Sequence, residues 1–377
     1  MAAPDIAIKT HFRKLKDPRR VKSSRHLLLD IITITLCAVI CGCNDWQEVE
    51  TFAIHRVDWL KKFLRLPHGV PSHDTFERVF DRLNPQTFQA CFRSWMGALH
   101  VALGLSPIAI DGKTLRGSGV GGLRALHVVS AWATANGLSL GQIAVDEKSN
   151  EIPAIPKLLD LLDVHGALVT IDAMGCQKEI AAKIIEVGGD YILTVKENQP
   201  TLLADIQACF DKAAQANFET VKNDTYETNE RGHGRDELRH YHIIIDPEFA
   251  SKSEWEDLCV IGKCYRETVR DGVLTQEIQY FIGSRKTTAK VYGDALRGHW
   301  GIENQLHWQL DVTFDEDKNR VCRRHAAENL SVVRRVALSL LKQHPGKRSI
   351  ACKRLQAALD PRFCEEVLRG DGQSGKI

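Results

Sequence analysis

The sequence is short of the features that mark secreted, membrane-spanning and disordered chains. Its eleven cysteines include no C-x-x-C pair; Cys41 and Cys43 flank a single glycine, and the rest are scattered among apolar neighbours. An odd, scattered set fits free thiols in a reducing compartment rather than a disulfide framework. The opening residues, MAAPDIAIKTHF, hold no apolar stretch of the kind a secretory signal needs, so nothing there points to export. One run, LLLDIITITLCAVICGC at 27–43, approaches the length of a membrane span but carries Asp30 and two threonines. A carboxylate at membrane depth is costly, so a buried core helix is expected there instead. No internal repeat or low-complexity segment is present. The formal charge of +2 over 377 residues is too small to identify a nucleic-acid binder by itself. With 44% hydrophobic residues, the chain can bury a sizeable core spread over two or three domains, which excludes intrinsic disorder.

What the sequence does have is unevenly placed charge. Lys9, Arg13, Lys14, Lys16, Arg19, Arg20, Lys22 and Arg25 crowd the first stretch against one acid among them, Asp17. The region up to about residue 100 reads as helical. Apolar residues recur at helical spacing from Trp46 to Leu64, and the run stops at Leu66-Pro67-His68-Gly69. Ser72 then precedes a second helix with Phe76, Val79, Phe80 and Leu83 on its apolar face. Two helices joined by a short Pro/Gly turn suit either a helix-turn-helix, with His73 and Arg78 on its exposed face, or an ordinary helical bundle.

From residue 106 the texture becomes mixed. Strands are expected near 106–113, 126–134, 138–146, 167–173 and 190–196, with helices near 153–163 and 177–187, a pattern for a sheet covered by helices. One more helix is expected over 200–214. Between about 218 and 286, short β-like runs such as YHIIID and EIQYFIG alternate with polar turns, as in an insertion. The tail returns to helix at 288–311 and 325–343.

Three acids stand out in this layout. Asp111 ends the apolar strand IAID, Asp172 ends ALVTID, and Glu303 lies inside the helical run HWGIENQLHWQLDV. A carboxylate at the end of a buried strand is costly unless it is paired or binds a cation. The residues two places earlier on the same strand face, Ala109 and Thr170, are small and leave room for an ion. Two ions about 3.5–4 Å apart in such a pocket would suit an in-line phosphodiester displacement. The competing reading of Asp111-Gly112 is a plain turn. A second rival uses the helix: His299, Glu303, His307 and Asp311 recur every four residues and could hold zinc along one stripe. Trp300 and Trp308 on that helix suit core packing or base stacking. Lys113 and Arg116 would sit at the mouth of the site, Lys196 ends the 190–196 strand, and Arg320, Arg323, Arg324, Arg334 and Arg335 form a further basic set fit for phosphates or for pairing with Asp315, Glu316 and Asp317.

The stretches DGKTLRGS (111–118), TIDAMGCQKEIA (170–181), YILTVKENQP (191–200), HWGIENQLHWQLDVTFDED (299–317) and WLKKFLRLPHGVPSHDTFERVF (59–80) resemble the DDE transposases of bacterial insertion sequences, in the branch of H-repeat-associated proteins. The resemblance covers nearly the whole chain. It implies an α/β fold with an RNase H-like catalytic domain over 101–345, a β-rich insertion at about 215–287, a helical DNA-binding or associated domain over 1–100, and a C-terminal helical tail over 346–377. Asp111, Asp172 and Glu303 would be the catalytic, metal-holding triad for two Mg²⁺ ions, with Mn²⁺ able to substitute. The implied partners are double-stranded DNA, as element ends and target, and further copies of the chain on paired ends. The implied setting is cytoplasmic, on the nucleoid when DNA is bound. Arg19, Arg20, Lys22, Arg78, Lys113, Arg116, Lys196, Arg323 and Arg324 are the expected DNA contacts. The wider group carries a tyrosine, an arginine and a lysine around its glutamate; the corresponding positions here are Leu296, His299 and Leu310, and those roles do not carry over. The alternatives are a non-mobile remnant that binds DNA without transposing it, and a structural protein whose acids merely cap elements.

Overall fold

The computed structural model describes residues 8–20, 24–104, 106–119, 125–145, 151–232 and 234–369; Lys22 lies outside them. The chain forms two compact units, one of residues 1–104, 112–150 and 302–377 and the other of 105–111 and 151–301. Strand β1 (Ile108–Leu115) contributes to both along its length.

The first unit is mainly helical. The run expected to be a core helix is the helix Leu28–Ile40, with eleven of its thirteen residues buried. A helix apolar on all sides must be enclosed by protein. Its awkward polar groups are all satisfied: Asp30 Oδ2 accepts the Leu66 amide at 2.9 Å, and the Thr33 and Thr35 hydroxyls donate to Leu29 and Ile31 carbonyls one turn back. Among the described residues no helix is long and apolar enough to cross a membrane. The helix Trp46–His55 starts on Asp45, whose side chain accepts the Glu48 amide. It ends earlier than the periodicity of 46–64 suggests. Arg56 leaves helical backbone (φ −112°, ψ 12°) and donates to the Ala358 carbonyl, and a separate short helix, Val57–Leu60, follows. The next helix is His73–Arg82, so the intervening segment from 61 to 72 is longer than the tight turn expected of a helix-turn-helix. The helix Ala326–Gln343 is buried along nearly all its length and packs on the helices Leu28–Ile40 and Pro85–Leu103 and on an antiparallel hairpin, β2 (Leu126–Ala133) and β3 (Leu138–Val145). Two helices, Ile350–Leu359 and Pro361–Arg369, complete the unit.

The second unit is built on strands in the order β1, β4 (Leu168–Ile171), β5 (Asp190–Val195), β9 (Val273–Gly283), β8 (Val260–Arg270), β7 (Arg235–Ile245) and β6 (Lys222–Gly232). The first three are parallel, and β4 is buried in all four residues, as strands covered on both faces are. The helices Glu151–Leu159, Lys178–Glu186 and Pro200–Gln215 follow the expected alternation. The β-rich stretch is a four-stranded antiparallel ribbon of eleven-residue strands, continuous with β5 through β9. The result is the mixed α/β architecture expected of an RNase H-like domain, with helical parts at both ends of the chain.

Candidate active site

Strand register brings two of the three acids together. In the parallel β1–β4 pair Ile110 stands opposite Ile171, so the next residues, Asp111 and Asp172, follow side by side where the pairing stops; β4 ends there, and β1 runs on to Leu115. Adjacent strands lie about 4.8 Å apart, which puts two carboxylates within reach of one cation. Ala109 and Thr170 are fully buried beneath them.

Asp172 is held by its own turn. Its Oδ1 accepts the Met174 amide at 3.1 Å and the Gly175 amide at 3.2 Å, starting the short 3₁₀ turn Ala173–Gly175. Both bonds use one oxygen, so the other keeps its lone pairs for a ligand. Gly175 is required at its place, because a Cβ there would stand 2.3 Å from Ile171 Cγ2. The turn is pinned from the chain beyond β5: Asn198 donates to the Ala173 carbonyl at 2.8 Å and Gln199 to the Cys176 carbonyl at 2.9 Å. These amides give the Asn198-Gln199 part of YILTVKENQP a structural reason that the sequence alone did not supply. Burial, with the Asp172 charge adding to it, pushes the Cys176 thiol up to about 12. Beside this turn opens a cleft of about 710 Å³ lined by Met174, Lys196, Leu203 and Tyr280 among others, with the Lys196 side chain exposed.

The chain reaches Glu303 through the helix Ala289–Ile302. Leu296 is core, clustered with Tyr241, Phe281 and Tyr292. His299 is 8% exposed, with Nδ1 3.0 Å from the Thr170 hydroxyl. Leu310, in the first unit, is wholly buried. All three positions that depart from the wider group's pattern are therefore interior.

Past Gly301 the helix changes winding. Glu303–His307 and Gln309–Thr313 are π-helical, so residues five apart rather than four are hydrogen-bonded and the expected four-residue stripe does not persist. The Glu303 side chain is 68% exposed; that of His307 is buried, with Nδ1 3.4 Å from Glu303 Oε2. Asp311 instead pairs with Lys113 at 2.6 Å. Burial raises the Asp311 carboxyl above its ordinary range, and Lys113 opposes that rise. With His299 turned to Thr170 and Asp311 to Lys113, two of the four residues of the zinc stripe are engaged elsewhere.

The basic residues divide in the same way. Lys113, expected as an open cation, is buried between Asp311 and Asp317, because β1 passes against the segment after the π-helical run. Gly117 permits that approach: a Cβ would lie 2.3 Å from the Asn319 carbonyl oxygen. Arg116 is largely exposed, its backbone amide bound to Asp317. Arg334 and Arg335, expected on a DNA-facing stripe, are interior; Arg335 pairs with Glu316 at 3.1 Å, and burial lowers Arg334 to about 10. Arg19 is mostly covered, held by Asp17 and the His26 carbonyl. Arg20, Arg78, Arg323 and Arg324 are exposed, Arg323 next to Glu77. Of the two tryptophans, Trp300 is half-buried, but Trp308 is 52% exposed and is not the core residue its helical position suggested.

Two protein-family models match the chain. One, described as DDE_Tnp_1-associated, covers residues 9–96, and the other, described as a transposase DDE domain, covers residues 103–340. Among curated proteins, the chain is 41% identical to "Putative transposase YncI" of Escherichia coli O157:H7, over 96% of this chain and 94% of that protein. It is 39% identical to "H repeat-associated putative transposase YhhI" of Escherichia coli strain K12, over 97% of this chain and 98% of that protein.

Proposed function

The chain belongs to the transposase DDE-domain family, and from that premise we propose that it binds the terminal repeats of its own element and catalyses metal-dependent cleavage and strand transfer at their ends. The observation that carries the reading is the register of β1 and β4, which sets Asp111 beside Asp172 where the pairing of these two inner strands stops. An all-oxygen donor set suits a hard divalent cation, and the uncommitted Asp172 oxygen fits one, so Asp111, Asp172 and Glu303 would hold two Mg²⁺ ions, with Mn²⁺ substituting. When bound, the ions supply activation of the attacking oxygen and stabilisation of the leaving one. The chain's own residues do the rest. Asp172 is oriented by the Met174 and Gly175 amides, and His307 flanks Glu303.

The same reading assigns DNA-end recognition to residues 1–100, catalysis to 101–345 with the ribbon as its insertion, and an accessory role to 346–377. Arg20, Lys22, Arg78, Arg116, Lys196, Arg323 and Arg324 would contact phosphates. Arg19 and Lys113 would join them only on leaving their carboxylates. Two copies would bring two ends together in the cytoplasm, on the nucleoid.

Two measurements test this reading. The full chain should cleave duplexes carrying the inverted repeats that flank its gene, in Mg²⁺ or Mn²⁺ and not in Ca²⁺ or chelator. Fe²⁺ placed in the site and treated with ascorbate and peroxide should cut the backbone near residues 111, 172 and 303. Cuts near the two aspartates but not near 303 would remove Glu303 from the triad.

A further inference from the structure

The last turn before Glu303 carries two adjacent side chains for which the proposed chemistry has no use. His299 reaches Thr170 on β4, two residues before Asp172. Trp300 reaches the ribbon. There Arg239 on β7 stands directly opposite Arg266 on β8, a like-charge pairing that a sheet disfavours. The indole of Trp300 accommodates it, with the two guanidinium carbons 5.3 and 5.0 Å from the ring centroid. Tryptophan offers the strongest aromatic face for a cation. Three acids complete the cluster. Glu237 pairs with Arg239 and lies 3.9 Å from Arg266, Glu277 pairs with Arg266, and Glu230 takes Arg239 at 3.6 Å and Arg297 at 2.6 Å. Arg297, one turn before Trp300, therefore ties the same helix end to β6.

Consecutive helical residues point about 100° apart, so His299 and Trp300 fix one helix end against two different elements. We propose that they are positioning residues: they lock the rotation and advance of the helix Ala289–Ile302 in its last turn, where it hands the chain to Glu303 and the backbone widens into π-winding. The inference rests on the transposase reading above. It also gives a role to His299, at a position where the wider group's arginine is missing. A locked helix end lowers the cost of presenting Glu303 to a cation, just as partners behind a metal ligand do elsewhere, where their loss weakens metal binding about 10–100-fold.

The test uses the full-length chain and three variants, Trp300→Leu, Trp300→Tyr and Arg266→Gln. The readouts are Mn²⁺ binding by electron paramagnetic resonance, amide hydrogen exchange of residues 299–305 without metal, end-DNA affinity without metal, and thermal melting. Trp300→Leu should shift the Mn²⁺ midpoint about 10-fold or more to higher concentration and speed exchange at 299–305, while metal-free DNA affinity stays within about twofold. Trp300→Tyr, which keeps an aromatic face, should recover most of the shift, and Arg266→Gln should fall between. A folded Trp300→Leu with an unchanged Mn²⁺ midpoint and unchanged exchange overturns the inference. Should Trp300→Leu fail to fold, an Arg266→Gln variant indistinguishable from the unaltered chain overturns it equally. Absence of Mn²⁺ binding in the unaltered chain would instead defeat the transposase reading itself.

Discussion

The two aspartates and the glutamate are placed by different kinds of force. Asp111 and Asp172 are set by backbone: a parallel ladder fixes which residues stand side by side, and a tight turn aims one carboxylate. Glu303 is set by side chains, since its helix is anchored by an imidazole, an indole and an ion-pair cluster, and then passes into a winding that ordinary helices avoid. A position fixed by a ladder tolerates change in its neighbours, whereas one fixed by side chains depends on each of them. The aspartate side should therefore be broken mainly by steric insertion, and the glutamate side by loss of partners.

The largest expected effect treats the two sides alike. Asp111→Asn, Asp172→Asn and Glu303→Gln should each lower Mg²⁺-dependent end cleavage by about three orders of magnitude or more, the scale on which essential electrostatic groups act. Metal-free gel-shift affinity should stay nearly unchanged. If Glu303→Gln retained most of the cleavage rate, the comparison would collapse to a two-aspartate site.

On the glutamate side, Lys113→Met should cost about 1–3 kcal/mol in urea unfolding at neutral pH, because it leaves the half-buried Asp311 charge without its cation. The pH dependence has a definite sign. Burial raises the Asp311 carboxyl in the folded chain, so its ionisation opposes folding, and Lys113 is what holds that rise down. Removing Lys113 enlarges the rise. The loss should then be small below the ordinary aspartate range, where Asp311 is protonated in both states, and grow as pH climbs through the raised value. An equal loss at acid and neutral pH would show that Lys113 acts by packing alone.

On the aspartate side, Gly175→Ala inserts a methyl against Ile171 and should cost about 1–3 kcal/mol, the usual range for overpacking. The smallest effect is expected at Trp308. Trp308→Ala should change stability by no more than about 0.5 kcal/mol, as exposed positions do, in contrast to Trp300→Leu.

The sequence made the backbone-determined half of this picture readable. Short apolar runs located β1 and β4, although β1 continues past Asp111 to Leu115, and the apolarity of 27–43 identified a core helix whose one acid found a buried amide. The side-chain half was hidden. Periodicity assumes 3.6 residues per turn, so the π-helical stretch and the regrouping of His307 and Asp311 could not be read from it. Periodicity also cannot see a distant partner: the helix over 46–64 breaks where Arg56 turns to Ala358. Charge was misleading for a similar reason. Lys113, Arg334 and Arg335 look like surface cations until Asp311 and Glu316, remote or on another element, draw two of them inside.

Cys176 gives the turn behind Asp172 a native reporter. With its thiol pushed up to about 12 by burial and its sulfur sealed from solvent, Cys176 stays in the unreactive thiol form at neutral pH. Alkylation at that position can proceed only as fast as the turn opens and lets the thiol regain its ordinary acidity. The labelling rate of this natural cysteine, followed by mass spectrometry, therefore reports the opening of the ledge on which Asp172 stands, with no residue replaced to introduce the reporter.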